Sequence, residues 1–184
     1  MTIPLHLSLE KGNNTRERRL RAGEWERLVA AAETRRNPYV LAVMEFALAT
    51  AMRRGEILNM RWEHFVDGGR SLLIPKTKNG HARTIPLSPE AIKVLDCRDA
   101  QTAVVFPILA NAFRLAWQRI KQRAGVEELR FHDLRHEAIS RFFEMGLSVP
   151  EVALISGHRD PRMLFRYNHP MREQISRKLS DASS

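Results

Sequence analysis

Four short stretches of the chain hold side chains whose types and spacing could do chemistry. In FHDLRHEAISRFFEMG, His132 and Arg135 lie three apart at the opening of a helix, so they share a face, and the helix N-terminus adds partial positive charge beside them. That is an anion site in outline; the plain alternative is a basic helix end in solvent. His132 and His136 also stand at i, i+4, the spacing of a zinc-binding pair. Zinc needs further ligands, and the chain offers neither an HExxH sequence nor a cysteine cluster, so no metal is expected. SGHRDPRMLFRYNHP adds His158 and Tyr167 near a second helix start, although a tyrosine ordinarily packs half-buried with its hydroxyl bonded. KTKNGHAR, between two β-rich runs, either holds a lysine on a turn within reach of a phosphate or a departing oxygen, or is a solvated tip. TAMRRGEIL sets Arg53 and Arg54 between a long apolar run and a second helical stretch, an awkward place for charge.

The elements that must position these groups are legible from periodicity. Apolar residues at helical spacing predict helices over 22–34 and 38–52, the second largely buried, and a short one from Arg54 to Met60. From Trp62 the texture changes to short β-rich runs, Phe65-Val66, residues 71–74 and residues 83–87, separated by the turn at 67–69 and by the polar hairpin, which predicts a small antiparallel meander. Ser88-Pro89-Glu90 starts a helix running to about Leu95, and helical spacing returns over 110–124, stopped by Gly125. In the last third Leu134, Ala138, Ile139, Phe142 and Phe143 share one helical face that ends at Gly146. Ser148 and Glu151 have capping-box spacing before a short helix stopped by Gly157. Asp160-Pro161 opens another short helix carrying Tyr167, and residues 171–179 form a final polar helix. Residues 1–20 lack sustained periodicity and read as a linker or arm. The outline is a mainly α, mixed α+β domain with one small sheet.

Composition bounds the partners. With 184 residues of which 43% are hydrophobic, the chain is the size of one domain with a real core. Lys plus Arg outnumber Asp plus Glu by 30 to 21, a formal charge of +9, which favours a polyanionic partner. The basic residues are spread along the chain and not gathered beside an apolar anchor, so nucleic acid is favoured over a membrane surface. No apolar run approaches the ~20 residues of a transmembrane helix, and the N-terminus lacks a signal-peptide order, so a cytoplasmic location is expected. Cys97 stands alone, which excludes a disulfide within the chain and fits a reducing compartment.

Taken together and in order, Arg53, a hairpin lysine, His132 with Arg135, His158 and Tyr167 resemble the catalytic set of the tyrosine recombinase (phage integrase) family. The matching stretches are TAMRRGEIL, KTKNGHARTIPL, HDLRHEAISRFFEMG and SGHRDPRMLFRYNH, and the resemblance spans about residues 21–178. It implies an integrase-type catalytic domain over 21–184, a helical bundle with a three-stranded antiparallel sheet, preceded by the 1–20 arm and without the family's N-terminal core-binding domain. Arg53 matches the arginine of the family's T-G-x-R pattern, with Ala51 in place of glycine. Glu56 falls on the carboxylate three positions later and is expected to orient Arg53 or a neighbour. Arg54 receives no catalytic role and is expected at the surface or on a nucleic-acid backbone. Counting back from Pro86 gives the lysine as Lys78, with Lys76 the runner-up because hairpin length varies. His132 and Arg135 match the H-x-x-R pair, His158 the histidine of the G-H pair, and Tyr167 the nucleophile nine residues later. Leu164 and Asn168 stand where threonine is frequent.

The resemblance implies a site-specific DNA recombinase or integrase that cleaves and rejoins strands through a 3′-phosphotyrosyl intermediate. Arg53 and Arg135, planar and permanently charged, would clamp the scissile phosphate. Tyr167 would attack phosphorus, Lys78 would protonate the departing 5′ oxygen, His132 would accept the tyrosine proton, and His158 would hydrogen-bond a nonbridging oxygen. No cofactor and no metal is implied. The expected partner is double-stranded DNA, with a homo-tetramer on DNA or a monomer for this chain alone, near the nucleoid; residues 171–179 would dock on a neighbouring protomer. A type IB topoisomerase-like relaxing enzyme and a non-catalytic DNA-binding module are the alternatives.

Overall fold

The centre of the molecule is a helix that is apolar but for Glu45 and the Thr50 at its end. In α2 (Tyr39–Thr50) the residues Val40, Val43, Met44, Phe46 and Ala47 are at most 1% exposed, and the stripe of Leu41, Glu45 and Ala49 is partly open. The computed structural model describes residues 18–34, 37–75, 82–96, 98, 102–167 and 180. Around α2 pack α1 (Glu24–Glu33), α3 (Arg54–Leu58), α4 (Pro89–Asp96), α5 (Ala110–Ala124) and α6 (Phe131–Glu144). α5 buries Phe113, Trp117, Ile120 and Ala124, a stripe at helical spacing, and ends in a left-handed Gly125. α4 begins where the Ser88 hydroxyl accepts the Ala91 N–H at 3.3 Å.

Between α3 and α4 lies the predicted meander, three antiparallel strands in the order β1 (Phe65–Val66), β2 (Ser71–Ile74), β3 (Arg83–Pro86). Leu72 pairs with Ile85 and Ile74 with Arg83. Directly paired residues share a face, and faces alternate along a strand. Leu72, Ile74 and Ile85 are buried, so Arg83 is aimed at the core side of the sheet. The hairpin carrying Lys76 and Lys78 lies outside the described residues, as do residues 1–17 of the expected arm and the expected 171–179 helix.

α6 is followed by α7 (Val149–Ser156) and a 3-10 helix (Pro161–Tyr167). Glu151 accepts the Ser148 N–H at 2.6 Å at the start of α7, and Gly157, left-handed with φ 72°, ends it. The Tyr167 segment winds as a 3-10 helix, tighter than the helix expected from sequence. Residues three apart eclipse in that geometry, which sends Leu164 and Tyr167, 0% and 7% exposed, into the same small apolar cluster. That cluster also holds Ala51, Ala138, Ile139, Phe142, Phe143 and Val152 and is distinct from the main core. α6 serves both, with Leu134 in the main core and Ala138 in the second cluster. Arg135 lies between them in sequence, at the seam.

The chain is tied to this body three residues before the expected domain start. Arg18 bonds Glu24 at 2.7 Å and Glu128 at 2.9 Å, and Arg19 bonds Glu137 of α6 at 3.0 Å.

Candidate active site

The site is built from helix ends. The last carbonyls of a helix have no partner within it and form the negative end of its dipole. Two such ends, of α2 and α7, meet over Arg135. Its Nη1 donates to the Ala51 carbonyl and its Nη2 to the Ser156 carbonyl at 2.7 Å, leaving the residue 3% exposed. Burial, then repulsion from Arg53, pulls its pKa down to about 9, so it stays cationic at neutral pH. Ala51 can present its carbonyl because it adopts the left-handed conformation (φ 52°, ψ 21°) while its own N–H still bonds the Ala47 carbonyl at 3.0 Å.

Two residues further on, the chain is extended at Arg53 and then opens α3. Glu56, at the third helical position, accepts the Arg53 N–H at 2.9 Å and the Arg53 Nη1 at 3.0 Å. The Arg53 side chain is 34% exposed, and its Nη2 lies 3.5 Å from the Gly157 carbonyl. Glu56 is also gripped by Arg83, whose two η nitrogens each lie 3.0 Å from a different carboxylate oxygen. Burial alone would raise the Glu56 pKa, but the bonds from Arg83 and from the Arg53 backbone outweigh it and hold the carboxyl below its ordinary value. The carboxylate expected to orient Arg53 therefore bonds two arginines.

The histidines fall into two groups. His158 reaches the Ser156 hydroxyl through Nδ1 at 2.7 Å, and that hydroxyl is 2.5 Å from the Val152 carbonyl. A carbonyl only accepts, so the single hydroxyl proton goes to Val152, His158 donates through Nδ1–H, and Nε2 of the neutral ring is left as an acceptor. Burial and the charges of Arg135 and Arg53 push His158 down to about 3. On α6, His132 meets His136 edge-on with ring centroids 4.8 Å apart, and His136 stacks on Tyr167 at 5.4 Å. The Nδ1 of His136 is in hydrogen-bond contact with the Tyr167 hydroxyl. Burial, then His132, lowers His136 to about 4; burial and Arg135 lower His132 as well, although its side chain is exposed. The guanidinium of Arg166 lies 5.3 Å from the Tyr167 ring centre.

Three of the four expected stretches thus converge: Arg53 with Glu56, His132 with Arg135, and His158 with Tyr167. An open depression of about 330 Å³ beside them is lined by Met52, Arg54, Arg130, Phe131, His132 and Arg135. Arg54, exposed, thereby shares a wall with two of the expected catalytic residues. Among the described residues, no group of three His, Cys, Asp or Glu side chains is placed to hold a metal ion, and no helix is long and apolar enough to cross a membrane.

Two residues of this constellation were not singled out from sequence for the roles their contacts suggest. His136 drew notice only as a possible zinc partner of His132, yet the same i, i+4 spacing is what lines it up beside His132 toward Tyr167. Arg83 carried a readable signal: in RTIPL the alternation that buries Ile85 and Leu87 also turns Arg83 inward, and an inward arginine needs a carboxylate.

Residues 18–174 match the sequence profile described as the phage integrase family. The shufflon-specific DNA recombinase of Escherichia coli is 45% identical over 171 residues, which cover 92% of this chain and 44% of that protein. The chain therefore spans less than half the length of that relative. Among solved structures, the catalytic domain of bacteriophage HP1 integrase superposes with a TM-score of 0.71 at 24% identity, covering 90% of this chain and 96% of that one. A lambda integrase dimer bound to a COC′ core site superposes with a TM-score of 0.67 at 23% identity, covering 82% and 47% respectively; both likenesses concern the fold.

Proposed function

The chain belongs to the phage integrase family, and from that premise we propose that it is the strand-cleaving part of a tyrosine-type site-specific DNA recombinase. The observation that carries the reading is the convergence of a tyrosine, two arginines and three histidines from separate segments onto the seam around Arg135. A phosphodiester resists attack because its charged oxygens repel nucleophiles, so a catalyst must neutralise them and align the reacting atoms. Arg53, partly open, and Arg135, held rigid by two helix-end carbonyls, supply fixed positive charge at low reorganisation cost.

In this reading the Tyr167 oxygen forms a bond to phosphorus as the bond to the 5′ oxygen breaks, and the phosphate ends esterified to the tyrosine. Lys78, or Lys76 in its place, gives a proton to the departing 5′ oxygen. The phenol proton leaves toward the histidine pair: His136 touches the hydroxyl, and the exposed His132 links the pair to solvent. His158, kept neutral in the free chain by burial and then by repulsion from Arg135 and Arg53, takes up a proton at Nε2 when the phosphate charge beside it favours the cation, and donates it to a nonbridging oxygen. A 5′-hydroxyl from another strand then displaces the tyrosine, so the sequence needs no ATP. Double-stranded DNA is the substrate, and a homo-tetramer on DNA is the working assembly. The 18–174 match supports reading the described body as the catalytic unit.

On a nicked duplex that loses its 5′-hydroxyl fragment after cleavage, the chain should accumulate a covalent protein–DNA adduct. Tyr167→Phe should abolish the adduct and leave DNA binding nearly intact, and an adduct that persists would remove Tyr167 from its role. Exchange between two marked duplexes by the full assembly distinguishes a recombinase from an enzyme that only relaxes DNA.

A further inference from the structure

Arg83 ties its own strand to two other segments of the site at once. Its side chain is 9% exposed and faces Glu56, whose side chain is 3% exposed. Its Nη1 and Nη2 bond the two oxygens of Glu56 at 3.0 Å each, and its Nε donates to the Ile155 carbonyl of α7 at 3.2 Å. Gly157 lies flat against it: a Cβ there would stand 2.8 to 2.9 Å from the guanidinium. The same glycine's carbonyl faces Arg53. Arg83 therefore joins the strand leaving the lysine hairpin to the start of α3 and to the end of α7.

Each oxygen of Glu56 carries two bonds. Oε1 accepts from Arg53 Nη1 and Arg83 Nη1, and Oε2 from the Arg53 N–H and Arg83 Nη2. Two guanidinium groups thus share one carboxylate, and the one that takes both oxygens with its fork is Arg83. Arg53 makes a single side-chain bond to Glu56, and its Nη2 meets only the Gly157 carbonyl at a long 3.5 Å, a contact another anion can displace. Without the Arg83 fork, a bidentate pair between Arg53 and Glu56 becomes the preferred geometry. That pair would turn Arg53 inward and cancel the charge it offers.

We propose that Arg83 is a positioning residue: by occupying both oxygens of Glu56 from the sheet side, it holds Arg53 singly bonded and turned toward the scissile phosphate. The inference rests on the reading of Arg53 as a phosphate ligand. It also assigns Gly157 a purpose beyond ending a helix, since only a glycine leaves room for the Arg83 fork there.

Arg83→Lys is the informative variant, because it keeps a cation beside the buried Glu56 while removing the fork. It should fold, as circular dichroism and thermal melting will report, and bind DNA with an unchanged salt dependence. Adduct formation on the nicked duplex should slow by about 10- to 100-fold, the cost of misplacing a group by a fraction of an ångström to an ångström. With a neutral methylphosphonate at the scissile position, the charge that Arg53 answers is gone, and the variant should come within about twofold of the parent chain. A defect equal on both substrates, or none on either, would overturn the proposal. Should the parent chain itself form no adduct, the functional reading fails instead, and a crystal structure of the Arg83→Lys protein decides the positioning claim alone. Arg53 paired through both η nitrogens to Glu56 supports it, and an unmoved Arg53 sinks it. If Arg83→Lys does not fold, Arg83→Gln replaces it, keeping a hydrogen-bond donor beside Glu56 without the fork; it should show the same substrate-dependent defect, and an undiminished rate would refute the idea.

Discussion

The adjacent arginines Arg53 and Arg54 differ in what surrounds them, and that difference sets what each can do. Arg53 is partly buried, bonded to Glu56 and directed toward Gly157, so its charge is preorganised. Arg54 is exposed and lines the depression beside His132 and Arg135, where a mobile cation adds attraction without fixing a reacting atom. Arg53→Ala should cost adduct formation about 10² to 10³-fold, the range for losing one preorganised donor, with little change in DNA affinity. Arg54→Ala should lower the slope of log affinity against log salt by about one, the loss of one phosphate contact, and leave the cleavage rate of bound DNA within about threefold. Anisotropy titrations over a salt series, paired with single-turnover trapping, measure both. A bound-state cleavage defect in Arg54→Ala as deep as that of Arg53→Ala would contradict the division of roles.

At the scale of elements, the site depends on how helices stop. α2 ends at Ala51, a left-handed residue that is not glycine, and the balance there can be weighed. The conformation costs about 1–2 kcal/mol for a residue with a Cβ. Against that, the fully buried methyl contributes about 0.8 kcal/mol, and glycine would lose about 0.5–1 kcal/mol more conformational freedom on folding. The terms nearly cancel, which accounts for alanine where glycine is the usual residue. Ala51→Gly should therefore shift the melting temperature by no more than about 2–4 °C, equivalent to 1 kcal/mol for a chain of this size; a larger shift either way would mean one of the three terms is misjudged. These helix ends were legible in sequence, because stops at Gly125 and Gly157, the Ser148 cap and the apolar stripe of α6 are local signals. The sheet was legible too, from short β-rich runs and a glycine turn. What the pattern did not carry was pairing at a distance: Glu56 with Arg83 across 27 positions, and His136 with Tyr167 across 31. The 3-10 winding before Tyr167 likewise follows from packing into the second cluster, which no local period announces.

The molecule as a whole concentrates positive charge, and the seam between its two apolar clusters concentrates it further, which makes the fold sensitive to acid in a predictable direction. His136 and His158 sit near about 4 and about 3, against an ordinary value of 6.5, because burial and the neighbouring cations disfavour their charged forms. Above pH 6.5 both are neutral folded or unfolded, and nothing is lost. As pH falls through 6.5 the unfolded chain binds protons that the folded chain refuses, so stability declines until the folded values are reached. Glu56 and Glu137, held below 4.5 by their arginines, add to the loss only below that value. Between pH 6.5 and 4.5 the decline therefore belongs to the histidines. Melting temperatures between pH 7 and 5 should fall more steeply for the parent chain than for a His136→Gln/His158→Gln variant, and parallel curves would refute the assignment. Bound DNA should flatten the parent's slope beyond its uniform stabilisation, because a phosphate beside Arg53 and Arg135 offsets the part of the His158 shift that those two cations add to burial, and the smaller part that Arg135 adds at His136. The same charge that destabilises the free site in acid is then what the substrate neutralises on binding.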